Sequence, residues 1–259
     1  MSEDLKKYYD EVYSKDKGKH FVKYRGGELL SASHKVVIEW LSENVKSSTG
    51  ILDFGCGEAD FLASLTGFSR RVGIDFSEIA LSKASEKYSD IELICGPEKI
   101  LDDFQSSMEI VTSFGTLEHL DNPKEIFHKF VKCLKQTGYL IVSCPSFLNV
   151  RGIIWMTLVK LFNVPMSLSD KHFLSIYDFK NFTKDSNVEL IHYISVDHEL
   201  AQGTSLRMDM QKRLMNALRD SNLDNTQVNN LLNWVENNLP YFAINEYSGA
   251  EIIYIFRKN

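Results

Sequence analysis

The chain has 259 residues, 44% of them hydrophobic, and a formal net charge of −6, enough apolar content for one large domain or a domain plus an insertion. The acidic balance and the lack of a Lys/Arg cluster exclude a basic groove for nucleic-acid phosphates. The start, Met1 to Lys7, lacks the apolar core of a signal peptide, and the longest apolar stretch, 152–162, is too short to span a bilayer and contains Lys160.

In chain order, residues 5–24 are rich in tyrosine and lysine, with Tyr8, Tyr9, Tyr13 and Tyr24. A strand over 50–54 delivers Asp53 to its carboxyl end, Gly55 permits a tight turn, and Gly57 lets the backbone approach a ligand. A helix follows from about Asp60. A second strand over 71–74 ends at Asp75, 20 residues after Gly55, where an acid can accept hydrogen bonds from a ribose. Ser77 can cap a helix running through Tyr88. Strands are predicted over 91–95, 109–113 and 139–144. Between the last two, Asn122 can cap a helix, Pro123 suits its first position, and Glu125 can reach back to the cap. Ile126, Phe127, Phe130, Val131 and Leu134 form its buried stripe, and Gly138 ends it. Residues 147–173 read as helical, and 190–196 and 251–256 as the last two strands. The intervening segment is far longer than a hairpin needs. It carries Leu206, Met210 and Leu214 every four residues, then Val228, Leu231, Leu232, Val235 and Leu239 at helical spacing. Strands alternating with helices predict an α/β fold with a mostly parallel sheet covered on both faces.

Two nucleoside readings compete for the glycine turn. A dinucleotide site needs a third glycine three positions after Gly57, and that position is Asp60, an acid that would repel a pyrophosphate. An acid there is compatible with a sulfonium and an ammonium.

The segments 51–61 and 72–77, then 108–120 with its Leu-Glu-His-Leu ending, Asp121-Asn122-Pro123, and 134–145 stand in order. Together they resemble the motifs of the class I S-adenosylmethionine-dependent methyltransferases, over about residues 48–146. The resemblance implies a Rossmann-like seven-stranded sheet whose last two strands pair as an antiparallel edge. The Leu-Glu-His-Leu variant points to the branch that methylates small molecules, including quinone precursors and sugars. It also implies S-adenosylmethionine as cofactor. Asp53, Gly55, Cys56 and Gly57 then line its methionine end, Asp75 holds the ribose, Phe76 lies beside the adenine, and Phe114 lines the same pocket. Two positions depart from the family. The acid after the third strand is replaced by Cys95-Gly96-Pro97-Glu98, so backbone groups or Glu98 would hold the adenine. The fourth strand opens with Glu109 in place of Asp.

For domains, the resemblance implies an N-terminal cover over 1–47, a cofactor-binding core over 48–146, and a region 147–259. The last holds a helical lid, the remaining strands and an insertion at about 199–249. The insertion is either a substrate cap or the contact face of a homodimer. The acceptor implied is a hydroxyl or an amine of a small metabolite, and transfer to a hydroxyl is helped by a general base. His119 just past the fourth strand, Glu118 beside it, and His172 in the lid are the candidates. Glu118, His119, Asp170 and His172 have no metal-motif spacing, and no metal is expected. The four cysteines show no paired spacing and read as reduced, mostly buried thiols of a cytoplasmic protein. Two other readings stay open: a nicotinamide-dependent oxidoreductase, and a non-catalytic S-adenosylmethionine-binding regulatory or scaffold protein.

Overall fold

The computed structural model describes residues 3–15, 28–45, 48–164 and 170–259, so Tyr24 and part of the expected lid lie outside the described residues. Among the described residues, seven strands form one sheet: β1 (Ser48–Phe54), β2 (Phe68–Asp75), β3 (Glu92–Cys95), β4 (Met108–Phe114), β5 (Leu134–Pro145), β6 (Val188–Val196) and β7 (Glu251–Lys258). Their order across the sheet is β3-β2-β1-β4-β5-β7-β6. Strands β1 to β5 pair in parallel, and β7 runs antiparallel to both β5 and β6. This is the mostly parallel, Rossmann-like sheet with an antiparallel edge that the motifs implied.

The helices are α1 (Glu3–Lys15), α2 (Ala32–Asn44), α3 (Asp60–Ser64), α4 (Glu78–Lys87), α5 (Pro123–Cys133), α6 (Val150–Phe162), α7 (Ile176–Thr183), α8 (His198–Gln202), α9 (Leu206–Asp220) and α10 (Val228–Asn238). Successive strand residues point to opposite faces, and this sorts the core. Leu52, Phe54, Val111, Leu140, Val142, Tyr254 and Phe256 pack with Phe127 and Phe130 of α5 and Phe179 and Phe182 of α7. Their neighbours Ile51, Ile110, Ile141, Ile253 and Ile255 pack on the other face with Val37 and Leu41 of α2 and Phe61 and Leu62 of α3. Strands buried on both faces need such apolar runs.

A third cluster lies apart from the sheet. Trp155 of α6 packs with Leu206, Met210 and Leu214 of α9 and with Val228, Leu232 and Val235 of α10. The two helical stripes of the insertion therefore cover the lid helix. Leu231, counted in the stripe, faces outward at 42% exposure.

The cap of α5 forms as predicted, with Asn122 accepting from the Glu125 N–H at 3.3 Å. Glu125 meets the Asn122 side-chain amide in place of the cap backbone. The helix ends earlier than predicted. The chain leaves it at Leu134, which pairs with Met108, and the register then shifts so that Tyr139 meets Ile110. Gly138 thus sits inside a bulged β5 and is not the helix stop. Cys133 and Cys144 are buried, Cys56 is half-buried and Cys95 is exposed. No described helix is long and apolar enough to cross a membrane.

Phe127 is fully buried, with the rings of Phe256, Phe182 and Phe179 at 5.1, 5.6 and 6.1 Å. Phe127→Ala is expected to lower the unfolding free energy by about 3–5 kcal/mol, read as a shifted midpoint in urea.

Candidate functional site

A cavity of about 1010 Å³ opens at the carboxyl ends of β1, β2 and β4. The strand order reverses between β1 and β4 there, which leaves a crevice in an open α/β sheet. Its floor is the turn after β1. The N–H groups of Gly55 and Cys56 both bond to the Ile74 carbonyl, at 2.8 and 3.2 Å. Gly55 has φ +82°, and a Cβ there would sit 2.3 Å from the Thr116 hydroxyl oxygen. Only glycine fits that turn. Gly57 has φ +54°, and a Cβ would meet the Tyr13 hydroxyl at 2.7 Å.

Asp75 ties this turn to the next. One carboxylate oxygen accepts from the Gly57 N–H at 2.9 Å and the other from the Ser77 N–H at 2.9 Å. Burial raises its pKa, and those backbone donors oppose the shift. Asp53 is 3% exposed and accepts from the Thr112 hydroxyl at 2.7 Å. Burial pushes its carboxyl up to about 7, against that hydrogen bond. Burial also raises the Cys56 thiol, helped by the charges of Asp75 and Asp53, so the thiol stays protonated.

Helix α1 lies across the opening. Ser77 donates to Asp10 at 2.6 Å, and Lys83 donates to the Tyr13 carbonyl. Tyr9 packs edge-on against Phe76 at 5.6 Å, and its ring lies 6.0 Å from that of His119. On the facing wall His34 lies edge-on to Phe114 at 4.6 Å, and Phe61 meets Phe114 at 4.8 Å.

Beyond the carboxyl end of β4 the cavity is lined by acids. Glu118 and His119 lie in a short 3-10 turn after β4. Burial pushes the Glu118 carboxyl up to about 7, and the neighbouring His119 opposes it. His119 Nδ1 is 3.1 Å from Asp170 Oδ1. Glu251, which accepts from the Ser143 hydroxyl, lines the same end. Helices α6 and α9 border it. Arg151 of α6 pairs with Asp209 of α9 at 2.8 Å, and Arg213 pairs with Asp209 at 3.0 Å. All three line the cavity.

Of the residues expected from the sequence, Asp53, Gly55, Cys56, Gly57, Asp75, Phe76, Phe114, Glu118 and His119 line this one cavity. Glu98 and His172 do not. After Gly96, whose N–H bonds to the Asp75 carbonyl at 3.0 Å, the chain enters a 3-10 turn anchored by buried Leu101 and Phe104. This carries Glu98 away from the cavity lining. In the lid, the N–H groups of Lys171 and His172 bond to the Glu118 carbonyl at 2.9 and 3.0 Å. That anchors the loop so that Asp170, not His172, reaches the cavity. Tyr13, His34, Arg151, Asp209 and Glu251 also line it, and of these only Tyr13 was named from the sequence. The only advance signal among them was the tyrosine-rich N-terminal helix.

Residues 52–142 match the family described as "Methyltransferase domain". A probable S-adenosylmethionine-dependent methyltransferase of Mycolicibacterium smegmatis is 26% identical over 116 residues, 44% of each chain. The mitochondrial ubiquinone biosynthesis O-methyltransferase of Schizosaccharomyces pombe is 23% identical over 177 residues, 62% of this chain and 65% of that protein. The chain thus spans less than half the length of the first relative. An S-adenosylmethionine-dependent methyltransferase structure from Thermotoga maritima superposes with a TM-score of 0.60 at 12% identity, covering 98% of this chain and 99% of that one. This likeness shows the fold.

Asp53 titrates far above the ordinary 3.8. A raised acid contributes stability below its unfolded pKa and loses it as pH rises through its folded one. Stability in urea is therefore expected to decline through Asp53 between about pH 4 and pH 7. Asp53→Asn, which can still accept from Thr112, is expected to match the wild type at pH 4 and to outlast it at pH 8.

Proposed function

From a chain that carries a class I S-adenosylmethionine-dependent methyltransferase domain, we propose an enzyme that moves the methyl of S-adenosylmethionine to a hydroxyl of a small acceptor. The observation that carries this reading is a single cavity joining two sets of residues. One is the Asp53, Gly55, Gly57 and Asp75 floor. The other is the Glu118, His119 and Asp170 cluster. The floor suits the cofactor. Asp75 holds the ribose, Asp53 faces the cationic methionine end, and Phe76 and Tyr9 flank the adenine. The cluster suits the acceptor. The N-terminal segment acts as a cover, residues 48–146 as the core, and the 147–259 region as lid and substrate cap.

In the reaction an acceptor oxygen forms a bond to the methyl carbon as the carbon–sulfur bond breaks. The electron pair goes to sulfur, leaving neutral S-adenosylhomocysteine. The leaving group is already good, so alignment in a dry site supplies most of the catalysis. The acceptor proton is lost at the Glu118–His119–Asp170 end of the cavity. The S. pombe relative's name, a ubiquinone biosynthesis O-methyltransferase, supports an oxygen acceptor of quinol-like type. Asp60 lines the cavity where a dinucleotide would need a bare glycine, which weighs against a nicotinamide cofactor.

Calorimetric titration with S-adenosylhomocysteine tests the reading. The wild type is expected to bind in the micromolar range, and Asp75→Ala to bind at least tenfold more weakly, about 1.4 kcal/mol. No binding to the wild type would overturn it. Binding without turnover across quinol and sugar acceptors would favour a non-catalytic, regulatory role.

A further inference from the structure

We propose that Glu118, His119 and Asp170 form a binding site for a first-row divalent metal ion at the acceptor end of the cavity. One ligand atom from each residue lies within 4.8 Å of the other two, so a slight closing of the cluster brings all three to bonding distance of a single ion. His119 Nδ1 and Asp170 Oδ1, 3.1 Å apart, stand as two neighbouring ligands around one ion would. All three residues line the cavity.

A second observation points the same way. Glu118 is 2% exposed, and its Oε2 is buried without a hydrogen-bond donor. A buried carboxylate oxygen without a donor is costly. Asp170 and Glu251 add negative charge around it. A cation placed between Glu118 and Asp170 removes that cost.

The fold prepares the site. Glu118 and His119 are held side by side in the turn after β4. The Lys171 and His172 N–H groups grip the Glu118 carbonyl, which docks the lid loop so that Asp170 meets His119. One imidazole nitrogen and two carboxylates suit Mn²⁺, Fe²⁺ or Zn²⁺ and leave coordination positions open. On the methyltransferase reading, the acceptor hydroxyl takes an open position. The ion lowers its pKa, the proton passes to water, and the resulting oxyanion attacks the methyl group. The ion keeps its oxidation state throughout.

The test is metal binding by the whole chain after chelator treatment. Mn²⁺ is followed by loss of its free-ion electron paramagnetic resonance signal, and Zn²⁺ by competition with a chromogenic chelator. Wild type, Asp170→Asn and Glu118→Gln are compared, with circular dichroism checking that each variant folds. The expected result is one ion per wild-type chain, bound at least tenfold more weakly by each folded variant. Binding of neither ion, or equal binding by wild type and variants, overturns the site. S-adenosylhomocysteine titration runs in parallel. Nucleoside binding without metal binding overturns the metal site alone, and metal binding without nucleoside binding overturns the methyltransferase reading alone.

Discussion

Asp75 is the constraint around which the site is built. It is 7% exposed, yet its carboxylate is met by two backbone donors, the N–H groups of Gly57 and Ser77. Charge-assisted bonds of this kind are strong and directional. They join the turn after β1 to the turn after β2, so that the glycine loop and the second strand end move as one piece. Everything at this end of the cavity depends on that join. Gly57 must take its positive φ to present its N–H, Ser77 must begin α4, and Tyr13 closes over the turn where a Cβ at Gly57 would stand.

The sheet order supplies the second constraint. The chain runs outward from β1 through β2 to β3, then returns to place β4 on the other side of β1. The carboxyl ends of β1 and β4 therefore diverge around a crevice. Both ends carry acids or aromatics that reach it, with Asp53 on one and Phe114 just before the Glu118 turn on the other. The cavity is lined by acids at its floor and beyond the carboxyl end of β4, an electrostatic setting suited to cations. The enclosed Arg151–Asp209 pair, which exposed Arg213 joins from the surface, brings α6 and α9 against this edge, with a satellite core behind it built on Trp155. Losing one partner of such an enclosed pair costs far more than the pair contributes, so the lid is held in register.

Much of this was legible beforehand because it rests on local chemistry. Alternating and continuous apolar runs marked all seven strands, and Asn122-Pro123 marked the start of α5. The strand-end acids and the glycine pair marked the cavity floor. The misreadings share a physical cause. Gly138 looked like a helix stop, but pairing of Leu134 with Met108 ended the helix sooner. Glu98 stood at the expected spacing, but the packing of Leu101 and Phe104 turned it away. His172 was chosen for its side chain, yet its backbone N–H is what the fold uses.

The sequence by itself determined the sheet, the cavity floor and the candidates Glu118 and His119, because periodicity, turns and caps act over a few residues. Tertiary structure alone decided how the Glu118–His119–Asp170 end of the cavity is assembled. Asp170 lies 51 positions beyond His119, and no pattern links them. They meet because two backbone hydrogen bonds fold the lid loop onto the turn after β4. Arg151 and Asp209 likewise become neighbours only when α6 and α9 share a core. Long-range contacts of this kind are set by packing over the whole domain, and local spacing carries no record of them.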